Sequence, residues 1–207
     1  MTTLELPVPA VPVPRTARNR PGASTTPPIR LAVPGRALVL VAGMPGAGKS
    51  TLLAGLPRRP GLVVLDSDEH RAALARRFPR LPYRCYRGLV HLRHRLAAVR
   101  AACSGVPTVV VHLPATSTAL RTAVALLAAV TGRTAHLLWL HVDPDEALRG
   151  QRERGRVVPS GSFAGHARRA EAATAALRAG RAAGWRTVVV AGRPAVRAGL
   201  VLDARSP

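Results

Sequence analysis

From Arg36 onward the chain alternates short, almost unbroken apolar runs with longer stretches whose apolar residues recur at helical spacing. The runs are Ala37–Ala42, Leu62–Leu65, Thr108–Leu113, His136–Val142 and Thr187–Ala191, each rich in Val or Leu. Runs of this length without polar alternation are the mark of strands buried on both faces of a parallel sheet. Helices are expected between them: Lys49–Ala54, Asp68–Arg77, Tyr83–Ala102, Ser117–Val130, Asp145–Arg154 and Phe163–Ala179. In the fourth of these, Leu120, Val124, Leu127 and Val130 form one stripe. Strand–helix alternation of this kind predicts an α/β fold, a doubly wound parallel sheet with helices on both faces.

Residues 1–35 follow a different pattern. The run Pro7-Val-Pro9-Ala-Val-Pro12-Val-Pro14 removes backbone donors at every second or third position, so it holds neither a helix nor a sheet ladder. The expectation is a disordered, basic, Pro-rich tail over 1–35 and one folded domain over 36–207.

Composition narrows the picture. The chain has 207 residues, enough to bury a core, and aromatics are only 3% of it, so that core is aliphatic. The formal net charge is +21. Such a surface favours polyanionic partners, which keeps nucleic acid in view beside phosphorylated small molecules. No platform for base stacking is visible, because the two Phe, two Tyr and two Trp are scattered. Cys85 and Cys103 fall on one predicted helix about 27 Å apart, far beyond the roughly 7 Å a disulfide spans. They read as free thiols of a reducing compartment. No apolar run approaches the ~18 residues of a membrane span, and the N-terminus lacks a signal-peptide pattern. The expected protein is cytoplasmic and monomeric, with no membrane partner.

The chemistry is concentrated just after the first apolar run. Gly43-Met44-Pro45-Gly46-Ala47-Gly48-Lys49-Ser50-Thr51 contains G-x-x-x-x-G-K-[ST] in full, after a strand and opening a helix. This Walker A pattern is a nucleotide-binding loop. Its glycines let backbone N–H groups wrap phosphates, and the helix N-terminus adds its positive end. Lys49, the single lysine of the chain, is placed to reach the β- and γ-phosphates. Ser50 is placed on Mg²⁺. Arg fills every other cationic position, and Arg substitutes poorly here. The reading is an ATP-binding site with Mg²⁺ as cofactor.

Three of the ten acids cluster after the second run, in Asp66-Ser67-Asp68-Glu69-His70-Arg71. The carboxyl ends of neighbouring strands share one crevice in such a sheet, so this turn should lie beside the phosphate loop. Asp68 is a candidate general base, and Arg71, one turn on, a candidate partner for it or for an anionic substrate. Helix capping by Asp66 or Ser67 is the competing role for the same cluster. After the fourth run, Arg149, Arg152 and Arg156 recur at helical spacing, as arginines of a lid over a transferring phosphoryl group would.

In this order the three segments resemble the P-loop kinases related to polynucleotide kinase and the zeta toxins, an AAA-family ATPase-like group of the P-loop NTPase superfamily. The resemblance covers roughly Arg36 to Ala191. It implies a five-stranded parallel sheet of order 2-3-1-4-5 with a helical or loop lid, and transfer of the ATP γ-phosphate to a hydroxyl acceptor. It carries the nucleotide and metal site to Lys49 and Ser50, the general base to Asp68, its partner to Arg71, and the lid to Arg152 and Arg156. Relatives often end the third strand on an acid that helps to hold Mg²⁺; here that position is His112. Either Asp66 takes the metal role, or His112 touches phosphate, or catalysis is weakened. The histidines show no metal-ligand spacing with cysteine. The leading expectation is an ATP-dependent kinase acting on an unidentified hydroxyl. The alternative is an ATP-binding or ATPase switch module that works on a partner or nucleic acid without a phosphoryl acceptor.

Overall fold

A computed structural model describes residues 26–152 and 160–204 of the protein. The elements in chain order are β1 (Ile29–Ala32), β2 (Ala37–Gly43), α1 (Lys49–Ala54), β3 (Leu62–Leu65), α2 (Ser67–Arg77), α3 (Tyr83–Cys103), β4 (Thr108–His112), α4 (Thr118–Val130), β5 (Thr134–Leu140), α5 (Pro144–Arg152), α6 (Ser160–Arg178), β6 (Thr187–Ala191), α7 (Arg193–Ala198) and β7 (Leu200–Asp203). Among the described residues no helix is long and apolar enough to cross a membrane.

Five strands make one parallel sheet in the order β3-β4-β2-β5-β6. Counted from β2, that is the order 2-3-1-4-5 implied by the resemblance, and the doubly wound α/β fold read from the alternation is present. The central strand shows why the pattern was legible. All seven residues of β2 are buried, so neither face could carry a polar residue. Right-handed crossovers put α3, α4 and α6 on one face and return α1 on the other. The packing agrees: α3 touches α4, and Trp139 of β5 donates its indole N–H to Thr174 of α6 at 2.8 Å.

On the α1 face the structure departs from the sequence reading. Residues 29–33 fell within the segment read as tail, yet Ile29–Ala32 is a strand that pairs in parallel with β7. Ile29, Leu31 and Val33 are buried in the main core. The proline argument concerns the run from Pro7 to Pro14, which lies outside the described residues. It does not reach Ile29-Arg-Leu-Ala-Val33, an alternating apolar segment closed by Pro28 and Pro34. The pair β1–β7 joins the two ends of the domain, and Arg59 ties it to the loop after α1 through the Leu202 carbonyl at 3.0 Å.

The cysteines fall at the third and last positions of α3, both free and exposed. Because the sheet is parallel, the carboxyl ends of β2, β3, β4 and β5 come out at one edge. Gly43, Leu65, His112 and Leu140 mark that edge, and the motif residues gather there.

Candidate active site

The phosphate loop leaves β2 at Gly43 and enters α1 at Lys49. Gly46 sits at φ +93°, and a Cβ on it would collide with the Ala147 carbonyl of α5. Gly48 caps α1 at φ +91°. Only glycine fits this path without strain. Met44 and Ala47 turn their side chains into the core, so both serve the loop through backbone groups alone. The loop is also gripped from outside: Gln151 donates to the Pro45 carbonyl at 3.0 Å, and Arg193 to the Gly46 carbonyl at 3.4 Å. Neither residue carries a sequence signal for that role.

Lys49 is buried. Its ammonium lies back across the loop, donating to the Gly43 carbonyl at 2.8 Å and to the Met44 carbonyl at 2.7 Å. Ser50 follows, its hydroxyl donating to Asp68 Oδ2 at 3.4 Å. Thr51 is exposed on α1.

The acidic turn arrives from the neighbouring strand end, as the topology required. Asp66 caps α2, accepting from the Asp68 backbone N–H at 3.0 Å. The same Oδ1 lies 2.8 Å from Nδ1 of His112. Burial pushes the Asp66 pKa up, but three groups outweigh it: His112 by hydrogen bond and charge, the Asp68 N–H, and the Ser50 hydroxyl. Together they hold the carboxyl well below the usual carboxylate range, so it is ionised at any ordinary pH. Asp66 therefore both caps a helix and pairs with the histidine at the strand end. Behind His112, His94 of α3 reaches the His112 carbonyl through Nε2 at 2.7 Å. Burial lowers the His94 pKa, the first of several influences on it.

The remaining predicted residues are distributed unevenly. Arg71 stacks over the Tyr83 ring, its guanidinium carbon 4.4 Å from the centroid, so it is held by α3. Arg149 is exposed and lies 4.0 Å from Glu146. Arg152 is exposed at the last position of α5. Arg154 and Arg156, with the rest of the segment 153–159, lie outside the described residues.

One residue that sequence reasoning passed over feels the charge of the loop lysine. His166 of α6 has a buried Nδ1 with no hydrogen-bond partner. Its pKa is lowered, first by burial and then by the positive charges of Arg169, Arg87 and Lys49.

The oxygen donors here are the Ser50 hydroxyl and the carboxylates of Asp66 and Asp68. Such donors suit a hard cation that completes its shell from phosphate and water. Among the described residues no three of His, Cys, Asp or Glu stand close enough to hold a metal by themselves.

A family described as an AAA domain matches residues 38–183. No match was found among curated proteins. Among solved structures, a presumptive kinase from Chloroflexus aurantiacus superimposes with a TM-score of 0.52 at 14% identity, over 76% of this chain and 88% of that one. A structure from the PezAT chromosomal toxin–antitoxin system of Streptococcus pneumoniae superimposes with a TM-score of 0.53 at 15% identity, over 84% of this chain and 71% of that one. At these identities the likeness is one of fold alone, the α/β architecture built on a parallel sheet.

Proposed function

The chain belongs to this AAA domain family, and on that premise we propose that it is an ATP-dependent kinase, transferring the γ-phosphate of ATP to a hydroxyl of its acceptor. One observation carries the reading: Asp68 stands on the Ser50 hydroxyl at 3.4 Å, beside the phosphate loop and at the same sheet edge as Lys49. A carboxylate so placed can take a proton from a hydroxyl presented to the terminal phosphate of a bound nucleotide.

The residues divide the work as follows. Backbone N–H groups from Gly46 to Ser50 wrap the phosphates. Lys49 leaves the carbonyls of Gly43 and Met44 and places its charge on the β,γ-oxygens. Asp68 accepts the acceptor's proton as the new P–O bond forms. Arg152 and Arg156 neutralise the charge that spreads over the transferring group. Arg71, fixed against Tyr83, orients the acceptor. Ser50 and Asp66 would hold Mg²⁺, which would supply positive charge to offset that of the phosphates. His112 positions Asp66 and replaces the acid usual at that strand end.

A second reading rests on that same pair. With β4 ending on His112 and Asp66 engaged by it, the chain would work as an ATP-binding switch without an acceptor. The two part on one experiment: transfer from γ-labelled ATP with Mg²⁺ to panels of hydroxyl oligonucleotides, nucleosides, nucleotide sugars and aminocyclitols, with Lys49→Ala as blank. Label on one acceptor class, lost in the blank, supports the kinase. ATP bound or hydrolysed with no acceptor labelled supports the switch.

A further inference from the structure

The helix α3 has two apolar faces, and the fold uses one. Tyr86, Val90, His94 and Ala98 are buried against the domain. On the opposite side lie Cys85, Leu89, Leu92, Leu96, Val99 and Cys103. At 100° per residue these six fall within about 40° of a single line. Leu89 is 41% exposed, Leu92 55%, Leu96 53% and Val99 44%, and both cysteines are exposed. One exposed leucine needs no explanation. A row along a 21-residue helix is a different matter.

The spacing identifies the kind of surface. The steps alternate between four and three residues, the repeat of a coiled-coil seam rather than of a core-facing helix. Arg93 and Arg100 line one side of the row, Arg84 and Arg95 the other. All four are exposed, and α3 contains no acid. Flanking charges of this sort select the partner. We infer that the outward face of α3 is a docking seam for an acidic amphipathic helix of another protein.

Charge complementarity decides among the occupants. A second copy would set these arginines against themselves, in a chain of net charge +21. The segment 1–25 holds one acid, Glu5, against Arg15, Arg18 and Arg20, so it offers these arginines no complementary charge. An anionic membrane would meet the arginines, but interfacial helices insert a broad apolar face with Trp or Phe. This row is narrow and without aromatics. A helix with leucines in the seam and glutamates beside it satisfies both features.

The test uses the full chain and two synthetic 21-residue helices matched to α3 in length. Both carry glutamate at the flanking positions; one has leucine in the seam and the other alanine. Fluorescence anisotropy reads their binding. The leucine helix should bind at least about tenfold more tightly than the alanine helix. Leu92→Ser with Leu96→Ser, a neutral change at two half-exposed sites, should remove that preference without moving the melting temperature. Equal binding of the two helices, or a preference that survives the double variant, would overturn the proposal. So would seam-dependent binding that appears only for vesicles of phosphatidylcholine and phosphatidylserine mixed about two to one, or only as self-association in sedimentation. Altered hydrogen exchange of residues 1–25 in the double variant would overturn it as well, by naming the tail as the occupant.

Discussion

Asp66 Oδ1 and His112 Nδ1 stand 2.8 Å apart at the ends of two neighbouring parallel strands. The register explains the meeting. Leu65 of β3 pairs with Val111 of β4, so the next residue of each strand emerges side by side. At this edge a carboxylate follows β3 and a histidine ends β4, and the two meet across the sheet. Because the folded Asp66 pKa is depressed, its contribution to stability is full above the unfolded carboxylate pKa of about 3.9. It is lost as pH falls from there toward the folded value. His112→Ala removes the strongest opposition to burial, so the folded pKa rises. The variant should then lose less stability than wild type as pH falls below about 4. Urea midpoints at several acidic pH values measure this, and parallel curves would contradict it.

The loop path makes a sharper demand at Gly46. Alanine there meets both the positive φ and the Ala147 carbonyl. Gly46→Ala should cost about 1–3 kcal/mol of stability and abolish ATP binding by calorimetry. Gly105→Ala, with open space around the added carbon, should leave both unchanged.

Arg133 predicts a purely structural loss. It is buried and donates to the carbonyls of Ala102 at 2.7 Å, Ser104 at 2.8 Å, Val106 at 2.8 Å and Pro107 at 3.0 Å. It therefore ends α3 and fixes the turn into β4. Arg133→Ala takes this donor from the carbonyls of Ala102 and Val106, at a cost of about 3 kcal/mol or more, while Ser104 and Pro107 keep bonds from Arg36 and from the Ala37 N–H. Arg133→Lys should recover only part, since an ammonium lacks the planar fork. Denaturant unfolding gives the comparison.

His166 predicts a proton linkage. Burial, and after it the charges of Arg169, Arg87 and Lys49, lower its pKa and favour the neutral ring. A triphosphate drawn to Lys49 brings negative charge near the ring and raises that pKa. ATP binding near pH 6 should therefore take up a fraction of a proton, and His166→Gln should abolish the uptake. Calorimetry in buffers of different ionisation enthalpy reads it; identical uptake in the variant would be the contrary result.

The sequence made the sheet legible because β2, β4 and β5 are buried on both faces, which leaves no room for polar alternation. Leu62–Leu65 and Thr187–Ala191 have the predicted limits. The phosphate loop was legible because its chemistry is local: backbone amides, one lysine, one hydroxyl. The strand β1 was hidden by its setting between Pro28 and Pro34 and by a partner, β7, lying at the far end of the chain. Arg71 resting on Tyr83, and Asp66 paired with His112, are long-range choices of rotamer and register that spacing alone does not encode. His166 looked like any histidine in a basic helix until the fold brought Lys49 and Arg87 to act on it.

The most direct test of the kinase reading is the transfer rate of Asp68→Asn to the acceptor identified with the wild type. The substitution keeps the shape beside Ser50 and removes the proton acceptor. The account predicts ATP binding within a factor of about two and transfer slowed by roughly 10²–10⁴. Transfer at the wild-type rate would contradict it.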